Sequence, residues 1–541
     1  MSFIQRINIL HYKCFKKFSL DLNSGVNIIV GNNESGKSTI LEALHLALSG
    51  LLNGRYLKNE LSQYIFNKEV ETLYLESLKT SNPLPPPKIL IEIFFSGDDL
   101  PEFEGDGNTT KRKASGLRFS IEFDTDEYET DYAELVTTDV TTIPIEFYKV
   151  TWSSFSRDSV TIKSIPVKSV LIDSSSTRFQ NGSDIYISKI IKDDLVEKEI
   201  VGLSQAYRKL KEAFMADKSV EAINKKITGK ADISTKTIHI SVDLSAKNSW
   251  ETSLMTYLEG IPFHQIGKGE QCLIKTNLAL AHKKTKESNL ILIEEPENHL
   301  SHTKLNQFIK SIQDKCEGKQ IVITTHSSFV ANKLNLKNLI LLNNNKEKTI
   351  LTALSKDTYD FFEKLPGYET LRLLLSSKAI LVEGPSDELV IQRAYMDKNA
   401  KSLPIEKEID VISVGLTFKR FLEVADLIKK PVAVVTDNDG DYRKKVIKKY
   451  EDFKNSETIE IFADDRIHLN TLEPQIVDAN RDNLKLLCKI LEIDETVYNT
   501  AELISNYMID NKTESALRIF KSDKSIIYPD YINDVIEWCN E

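Results

Sequence analysis

"VNIIVGNNESGKST", residues 26–39, decides how the first part of the chain folds. Residues 26–30 are mostly apolar and β-forming, so they predict a buried strand. The glycine-rich stretch that follows fits the pattern G-x-x-x-x-G-K-[ST] at every fixed position. Apolar residues then recur at helical spacing, at positions 40, 41, 44, 47 and 48. A strand, a glycine loop and a helix in this order predict a loop that wraps phosphate groups.

The residue types in this loop suit the binding of a nucleoside triphosphate. Gly31 and Gly36 let backbone N–H groups curl around phosphates, helped by the N-terminus of the helix. Lys37 reaches the outer phosphates, and the Ser38 hydroxyl can ligate Mg²⁺. The residues predicted to hold the nucleotide are Gly31, Asn32, Asn33, Glu34, Ser35, Gly36, Lys37, Ser38 and Thr39.

Three stretches further along carry groups that nucleotide hydrolysis requires. "NLILIEEPENHLS" (289–301) predicts an apolar strand that ends at Glu294 and Glu295. A carboxylate at a strand end can hold Mg²⁺ through water, and an adjacent one can orient or deprotonate the attacking water. "QIVITTHSSFVANK" (320–333) predicts a strand before His326, and "HQIGKGEQCLIKTNLALA" (264–281) places Gly269 ahead of a helix. Taken singly, a helix cap explains Gly269 and a structural role explains His326.

The four motifs occur in the order found in ABC-type ATPase heads, and together they resemble those of chromosome-maintenance proteins. The N-terminal strand pair "FIQRINILHYKCFKKFSLDL" (3–22) adds to the resemblance. It implies that Gly269 belongs to a signature motif facing the γ-phosphate of a second protomer, and that His326 contacts the γ-phosphate. Such ATPases usually have Asp where this chain has Glu294, while Glu295 matches the catalytic carboxylate. Because these heads work in pairs with ATP at their interface, the resemblance implies a homodimer or a higher homo-oligomer.

Residues 50 to 250 carry no catalytic motif. "KILIEIFFSG" (88–97), "LRFSIEFDTDEY" (117–128) and "IPIEFYKVTW" (143–152) predict strands. The segment from about 184 to 230 is amphipathic and predicts helices. These helices would form either an arm used for dimerisation or a layer packed on the same domain.

After about residue 376, strands and helices alternate again. "SKAILVEGPSDELVIQRAY" (377–395), "IDVISVGLTFKRFLEVADLI" (409–428) and "PVAVVTDNDGD" (431–441) each begin with an apolar strand. This alternation predicts a parallel sheet, which binds ligands at the carboxyl ends of its strands. Glu383, Asp437 and Asp439 would lie there, with the last two on one side of an extended strand end. They form either an acidic surface loop or the wall of a divalent-metal site.

The spacing of these acidic residues resembles the Toprim fold, the metal-binding domain of topoisomerases, primases and certain nucleases. Its motif is a strand-end Glu-Gly, here Glu383-Gly384, followed two strands later by Asp-x-Asp, here Asp437-Asn438-Asp439. An ABC head followed by a Toprim domain resembles the OLD (overcoming lysogenisation defect) nucleases across essentially the whole chain. That family includes components of anti-phage systems such as Gabija and some retrons.

The resemblance to OLD nucleases implies further site residues. An acidic residue four after the first Glu corresponds to Asp387, with Glu388 as an adjacent alternative. A later acidic residue corresponds to Glu473, and a lysine near the C-terminus to Lys512, with Lys521 as a competitor. In a two-metal reaction, one ion activates water and the other stabilises the leaving oxygen. The metal ligands implied are Glu383, Asp387, Asp437, Asp439 and Glu473, together with Ser38, which would ligate the Mg²⁺ bound with the nucleotide. The catalytic residues implied are Glu383, Asp387, Asp437, Asp439, Lys512 and Glu295.

Composition limits the class of protein. The chain has 541 residues, 41% of them hydrophobic and 28% charged, and a net charge of −10, so we expect an ordinary globular protein of several domains. It has no apolar run long enough to cross a membrane and no recognisable signal peptide. The five scattered cysteines match neither a zinc site nor a disulfide framework, which favours a reducing cytoplasm. Basic clusters at 282–286 and 443–450 are either solvated helix faces or contacts to nucleic acid.

We therefore predict an α/β protein with two domains. Residues 1–375 would form an ABC-type ATPase domain with the inserted helical segment, and residues 376–541 a Toprim nuclease domain. The predicted function is an ATP-regulated endonuclease that uses Mg²⁺ or Mn²⁺ to cut or nick DNA in anti-phage defence. A helicase or reverse-transcriptase partner would accompany a Gabija-like or retron system, respectively. The alternatives are an ATP-driven DNA clamp with a non-catalytic Toprim domain and a Toprim ribonuclease.

Overall fold

The structure is a computed structural model of the chain. It describes residues 2–137, 140–173, 179–180, 183–184, 195–228, 240–242, 250, 256–282, 285, 287–315, 317–343, 348–351 and 353–541. None of the helices in these ranges combines the length and apolar character needed to cross a membrane. The chain folds into two compact units. The first comprises Met1–Asn27 and Gly36–Thr325, and the second comprises Ile28–Ser35 and His326–Glu541.

The first unit begins with an antiparallel sheet. Ile7 and Ile9 are buried and pair with Ile93 and Ile91 on the neighbouring strand, as the apolar alternation predicts. The three strands predicted between residues 88 and 152 all belong to this sheet. Its strands run side by side in the order Phe15–Asp21, Phe3–Tyr12, Ile89–Ser96 and Ala114–Phe123, with Tyr148–Ser154 and Glu104–Gly105 both paired to the last.

Three parallel strands in the same unit carry the predicted catalytic carboxylates. Leu290–Glu294 lies between Ser169–Asp173 and Gln320–Thr324. Helix Lys37–Ser49 packs on these strands, and its predicted apolar positions 40, 41, 44, 47 and 48 are all buried. The helix ends at Gly50, whose φ of 67° closes the last turn.

The predicted helical segment 184–230 is partly helical. Helices span Glu197–Met215 and Lys218–Thr228, while Ser183–Asp184 is a short strand paired with Phe179–Gln180. Residues 185–194 and 229–230 lie outside the described residues. Among the described residues of the first unit, the other α-helices are Lys68–Ser77, Thr125–Leu135, Lys268–Ala281 and His302–Lys315. The remaining short strand pairs there are Leu51–Leu52 with Arg55–Tyr56 and Tyr257–Leu258 with Ile261–Pro262.

The second unit contains most of the strand that precedes the phosphate loop. Strand Val26–Gly31 pairs in parallel with Leu339–Leu342, which pairs antiparallel with Lys348–Ile350. This part of the unit also contains three helices, which are, in chain order, Ser328–Lys333, Lys356–Lys364 and Thr370–Leu375.

A four-stranded parallel sheet organises the rest of the second unit, as the alternating pattern predicts. Its strands run in the order Ile409–Ser413, Lys378–Val382, Val432–Val435 and Ile459–Phe462. Ile380, Val382, Val390, Ala433 and Val435 contribute to a core shared by strands and helices. The helices of this region are Pro385–Lys398, Phe418–Leu427, Leu472–Ala479, Leu484–Ile490, Ala501–Asp510, Lys512–Lys521 and Asp530–Asn540, with a π-helical turn at Arg443–Lys448.

Candidate functional site

The phosphate loop has the close backbone approaches that require glycine. A Cβ on Gly31 would lie 2.7 Å from the carbonyl oxygen of Leu342. A Cβ on Gly36, whose φ is 101°, would lie 2.4 Å from Cζ of Phe15. Both positions therefore exclude a side chain. Helix Lys37–Ser49 begins directly after Gly36, so its first N–H groups face the loop, as phosphate binding requires.

Within the first unit, Lys37 lies among the strand-end carboxylates. Only 5% of Lys37 is exposed, and burial lowers the pKa of its ammonium group, while the charges of Glu295, Glu297 and Glu294 oppose this shift. The fold therefore brings Lys37 close to Glu294 and Glu295, which lie more than 250 positions later in the sequence. A magnesium ion and the phosphates of a nucleotide would be held by this charged group.

Hydrogen bonds fix the carboxylates at the strand end. The backbone N–H of Glu295 donates to the Thr324 carbonyl at 3.0 Å, and the Asn298 side chain donates to the Glu295 carboxylate at 3.1 Å. Thr325 Oγ1 donates to Glu297 at 2.8 Å. Sequence analysis did not single out Glu297, although it lies two residues after Glu295 in the same acidic run.

The remaining predicted nucleotide residues lie in several places. Asn32, Asn33, Glu34, Ser35 and His326 line a cavity of about 900 Å³ within the second unit. In the first unit, Ser38 is exposed on the first turn of its helix, and Thr39 accepts a hydrogen bond from Cys14 Sγ at 3.6 Å. Gly269 lies in the first turn of helix Lys268–Ala281, where a Cβ would lie 2.3 Å from the His299 carbonyl oxygen. Their roles toward a nucleotide stay predictions.

Four carboxylates gather at the carboxyl edge of the parallel sheet in the second unit. Glu383 follows strand Lys378–Val382, and Asp437 follows strand Val432–Val435. Burial raises the pKa of Asp437 to about 8, and the negative charges of Asp387, Glu473 and Glu383 add to the shift. We call Glu383, Asp387, Asp437 and Glu473 the acidic cluster.

Asp387 and Glu473 are held by local hydrogen bonds. Asp387 lies in the first turn of helix Pro385–Lys398 and accepts from the backbone N–H of Gly384 at 2.9 Å. Burial, followed by the charges of Glu383 and Glu473, raises its pKa to about 6. Glu473, which is 4% exposed, accepts from Thr471 Oγ1 at 2.9 Å.

Lys512 is the cation beside the acidic cluster. Its Nζ lies 3.5 Å from Oε2 of Glu473, and its charge lowers the pKa of Asp437. Lys521, the competing candidate, lines a different cavity together with Lys489 and Lys524. Glu388, the alternative to Asp387, lies 3.7 Å from Arg372. The structure therefore places Lys512 and Asp387 at the cluster rather than their neighbours.

Asp439 differs from its predicted placement. The strand ends at Val435, and Asp439 has a φ of 46°, so the extended backbone assumed for the Asp437–Asp439 pair is absent there. The cause is Asn438, which is fully buried and donates to the carbonyl oxygens of Asp464, Arg466 and Leu469. The Asp439 carboxylate instead contacts Lys445 Nζ at 2.8 Å.

The donor chemistry of the acidic cluster fits a divalent cation. Buried carboxylates that repel one another are stabilised when a hard cation binds their oxygens. Within the described ranges, however, no three Asp, Glu, His or Cys side chains converge as a ready-made ligand set. The cluster residues, with Asp439 at its margin, would therefore have to rearrange their side chains to hold Mg²⁺ or Mn²⁺.

Comparison with known protein families gives separate matches for the two parts of the chain. Residues 26–332, more than half of the chain, match a family described as "AAA domain, putative AbiEii toxin, Type IV TA system". Residues 374–439 match the "Overcoming lysogenization defect protein-like, TOPRIM domain" family. The ATPase match implies ATP binding. Together the two matches confirm the predicted order of an ATPase domain followed by a Toprim domain, and the strands and helices of the structure confirm the α/β class.

Individual relatives are similar over short stretches. The chain is 38% identical over 108 residues to the DNA replication and repair protein RecF of Shewanella sp. (strain MR-4), covering 20% of this chain and 28% of that protein. It is 34% identical over 95 residues to RecF of Clostridium beijerinckii, covering 18% and 24%. The matched region thus spans about a quarter of each of these relatives.

Two solved structures are similar over about two thirds of this chain. One is an SMC head bound to the C-winged helix domain of ScpA, with 16% identity, coverage of 64% of this chain and 97% of that chain, and a TM-score of 0.33. The other is the recombination mediator RecF with ATP, with 12% identity, coverage of 65% and 99%, and a TM-score of 0.34. By its family matches, the chain belongs to the AAA-domain family and is an ATPase–Toprim protein of the overcoming lysogenisation defect type.

Proposed function

We propose that the protein is an ATP-regulated endonuclease that cuts or nicks DNA with a divalent metal ion. The observation that carries the proposal is the acidic cluster at the carboxyl edge of the Toprim sheet. Asp437 is buried beside Asp387, Glu473 and Glu383, which is electrostatically costly without a cation. A fold without such a ligand would gain stability by replacing one of these carboxylates, so the cluster favours metal binding over a structural role.

The chemistry follows from the groups in the cluster. A bound Mg²⁺ or Mn²⁺ would generate hydroxide from water and offset charge on the phosphate that is cut. Glu383, Asp387, Asp437 and Glu473 would hold the ion, with Asp439 as a further candidate. Lys512, next to Glu473, would stabilise the negative charge that develops on the cleaved phosphodiester.

Contacts within the second unit support regulation by ATP. The Asn32 side chain, in the phosphate loop, donates to the carbonyl of Leu375 at 3.5 Å, at the end of helix Thr370–Leu375. At the start of this helix, the backbone N–H of Leu371 donates to Ser328 Oγ, two residues after His326. The nucleotide loops are thereby joined to one short helix.

Arg372 joins the same helix to the Toprim sheet. Its guanidinium donates twice to Asp410, at 3.0 and 2.6 Å, and to the Val411 carbonyl at 2.9 Å. Glu388, which neighbours Asp387 in the sequence, lies 3.7 Å from the same guanidinium. A nucleotide that moved Asn32 or His326 would therefore act on the helix that carries Asp387.

DNA as substrate, a homodimer built by two ATPase heads, and a role in anti-phage defence are also part of the proposal. DNA is favoured because relatives of this chain are named as DNA replication and repair proteins. The homodimer rests on the resemblance to ABC-type ATPase heads, which work in pairs. The defence role and a helicase or reverse-transcriptase partner rest on the resemblance to OLD nucleases. The helices Glu197–Met215 and Lys218–Thr228 are candidates for the dimer arm.

Incubation of the purified full-length chain with supercoiled plasmid, linear duplex DNA and RNA tests the proposal. Each substrate is incubated with Mg²⁺, Mn²⁺ or chelator, with and without ATP. The proposal expects nicking or cutting of DNA that requires metal and whose rate changes with ATP. Cleavage of RNA alone would establish a ribonuclease instead. DNA binding without cleavage under every metal condition would favour an ATP-driven clamp.

A further inference from the structure

Residues 443–449 form the most basic short segment next to the acidic cluster. Five of these seven residues are lysine or arginine, in a chain whose net charge is −10. The segment begins four residues after Asp439 and forms a π-helical turn at Arg443–Lys448, a geometry found often at functional sites. We call it the basic turn.

Three cations of the basic turn remain free for a ligand. Arg443, Lys444 and Lys448 are exposed, and no carboxylate among the residues that the structure describes pairs with them. Arginine and lysine side chains that served only to balance local acids would be paired with them. The free charges therefore point to a polyanion that is absent from the isolated chain.

The other two cations of the basic turn, Lys445 and Lys449, lie near the acidic cluster. Lys445 pairs with Asp439, and the charge of Glu383 acts on both Lys445 and Lys449. Lys449 lies over the rings of Phe418 and Tyr450, at 5.0 and 5.1 Å from their centroids. The basic turn therefore lies near Glu383, and its exposed cations face solvent.

Electrostatics explains why a nuclease site of this kind needs such a neighbour. Four clustered carboxylates repel the phosphates of DNA, and Lys512, beside Glu473, offsets only part of this repulsion with its single positive charge. Cations that contact phosphates on either side of the cut offset this repulsion and fix the position of the strand. A cationic surface that adjoins the cluster is well placed to do this.

We propose that the basic turn is the surface on which duplex DNA lies when its backbone enters the acidic cluster, with Lys444 and Lys448 contacting phosphates. This inference rests on the proposed function for the identity of the polyanion. It goes further in assigning the binding surface to residues 443–449, which contribute no ligand to the metal.

The test measures the binding of a labelled DNA duplex to the full-length chain by fluorescence anisotropy, in chelator, so that no cleavage occurs. Lys444→Ala/Lys448→Ala removes two free charges without altering Lys445 or Lys449. Each lost phosphate contact removes about 0.9 from the slope of log affinity against log salt, so we expect the slope to fall by up to about 1.8. At about 0.1 M salt this corresponds to affinity weakened on the order of tenfold to fiftyfold.

Matched variants separate this effect from general loss of charge. Lys485→Ala/Lys489→Ala removes two exposed lysines, also four positions apart, from helix Leu484–Ile490 in the same unit, and should bind like wild type. Lys444→Arg/Lys448→Arg should retain wild-type affinity and slope, because arginine also contacts phosphate. Thermal unfolding of each variant verifies that it is folded, and Arg443→Ala provides an independent variant.

Wild-type affinity and salt slope in Lys444→Ala/Lys448→Ala would overturn the inference. An equal loss in Lys485→Ala/Lys489→Ala would also overturn it, because the effect would then be non-specific. Binding of RNA but not of duplex DNA would contradict the assigned ligand. These outcomes are independent of cleavage, so the inference survives if the wild-type chain binds DNA through this turn yet fails to cut it with metal.

Discussion

Asp437→Asn should stabilise the metal-free protein at neutral pH, because the fold strongly disfavours the charged form of the Asp437 carboxyl group. Its folded pKa is raised from 3.8 to about 8. A raised carboxyl pKa means that the folded state binds more protons than the unfolded state between these values. The stability of the wild type should therefore fall as pH rises from about 4 to about 8.

The magnitude follows from the width of this interval. Between pH 5 and pH 8, one group with these pKa values loses about 1.4 kcal/mol per pH unit, or about 4 kcal/mol in all. Asp387, whose pKa is raised to about 6, and the other cluster residues share the repulsion, so replacing one carboxylate recovers part of it. We expect Asp437→Asn to gain about 1–3 kcal/mol over wild type on going from pH 5 to pH 8.

Urea unfolding in chelator, followed by the fluorescence of Trp538, measures this difference. Trp538 is 8% exposed and packs in the core that contains the Toprim strands; Trp152 and Trp250 are replaced by Phe to silence other signals. Asp441→Asn, in the same loop, is the control and should leave the pH dependence unchanged. Mn²⁺ should stabilise the wild type more than Asp437→Asn. A pH dependence that is the same in wild type and Asp437→Asn would refute the reasoning.

Four other single substitutions have expected outcomes. Lys37→Ala should abolish ATP binding or hydrolysis, whereas Glu295→Gln should bind ATP and hydrolyse it slowly; a wild-type rate for Glu295→Gln would disprove its assignment as the catalytic carboxylate. Arg372→Met leaves the carboxylate of Asp410, which is 8% exposed, without its bidentate partner; because the Arg372 side chain itself is 37% exposed, the protein should be destabilised by about 1–3 kcal/mol in urea unfolding. Adding Asp410→Asn should restore part of this loss, and no restoration would mean that Arg372 acts elsewhere. Lys512→Ala should lower the cleavage rate about 100-fold while ATPase activity is unchanged; an unchanged cleavage rate would exclude Lys512 from the site.

Local sequence patterns were sufficient to predict the elements that carry the site. The apolar runs before Gly31, Glu294, Glu383 and Asp437 are strands. Strands that are buried on both faces of a parallel sheet consist of nearly continuous apolar residues, so they can be recognised in the sequence. The two glycine positions of the phosphate loop were also evident, since the motif specifies them. Both patterns depend on neighbours within a few residues, which is the range that sequence periodicity reports.

Long-range side-chain contacts were not predictable in the same way. Asp439 turns toward Lys445 because the Asn438 side chain is hydrogen-bonded to a loop about 30 residues later. The alternation of apolar and polar residues does not reveal that hydrogen bond. Arg372 is likewise an ordinary helical residue in sequence, and its link to Asp410 depends on how the helix packs on the sheet. The domain boundary at residue 375 stays a prediction.

The central claim is that the acidic cluster binds the metal ion with which the protein cuts DNA. The most direct test is a time course of supercoiled-plasmid nicking in Mn²⁺ by wild type, Asp437→Asn and Asp441→Asn, with ATP hydrolysis measured on the same preparations. Our account predicts nicking by wild type and Asp441→Asn, none by Asp437→Asn, and equal ATP hydrolysis by all three. Nicking by Asp437→Asn at the wild-type rate would contradict it.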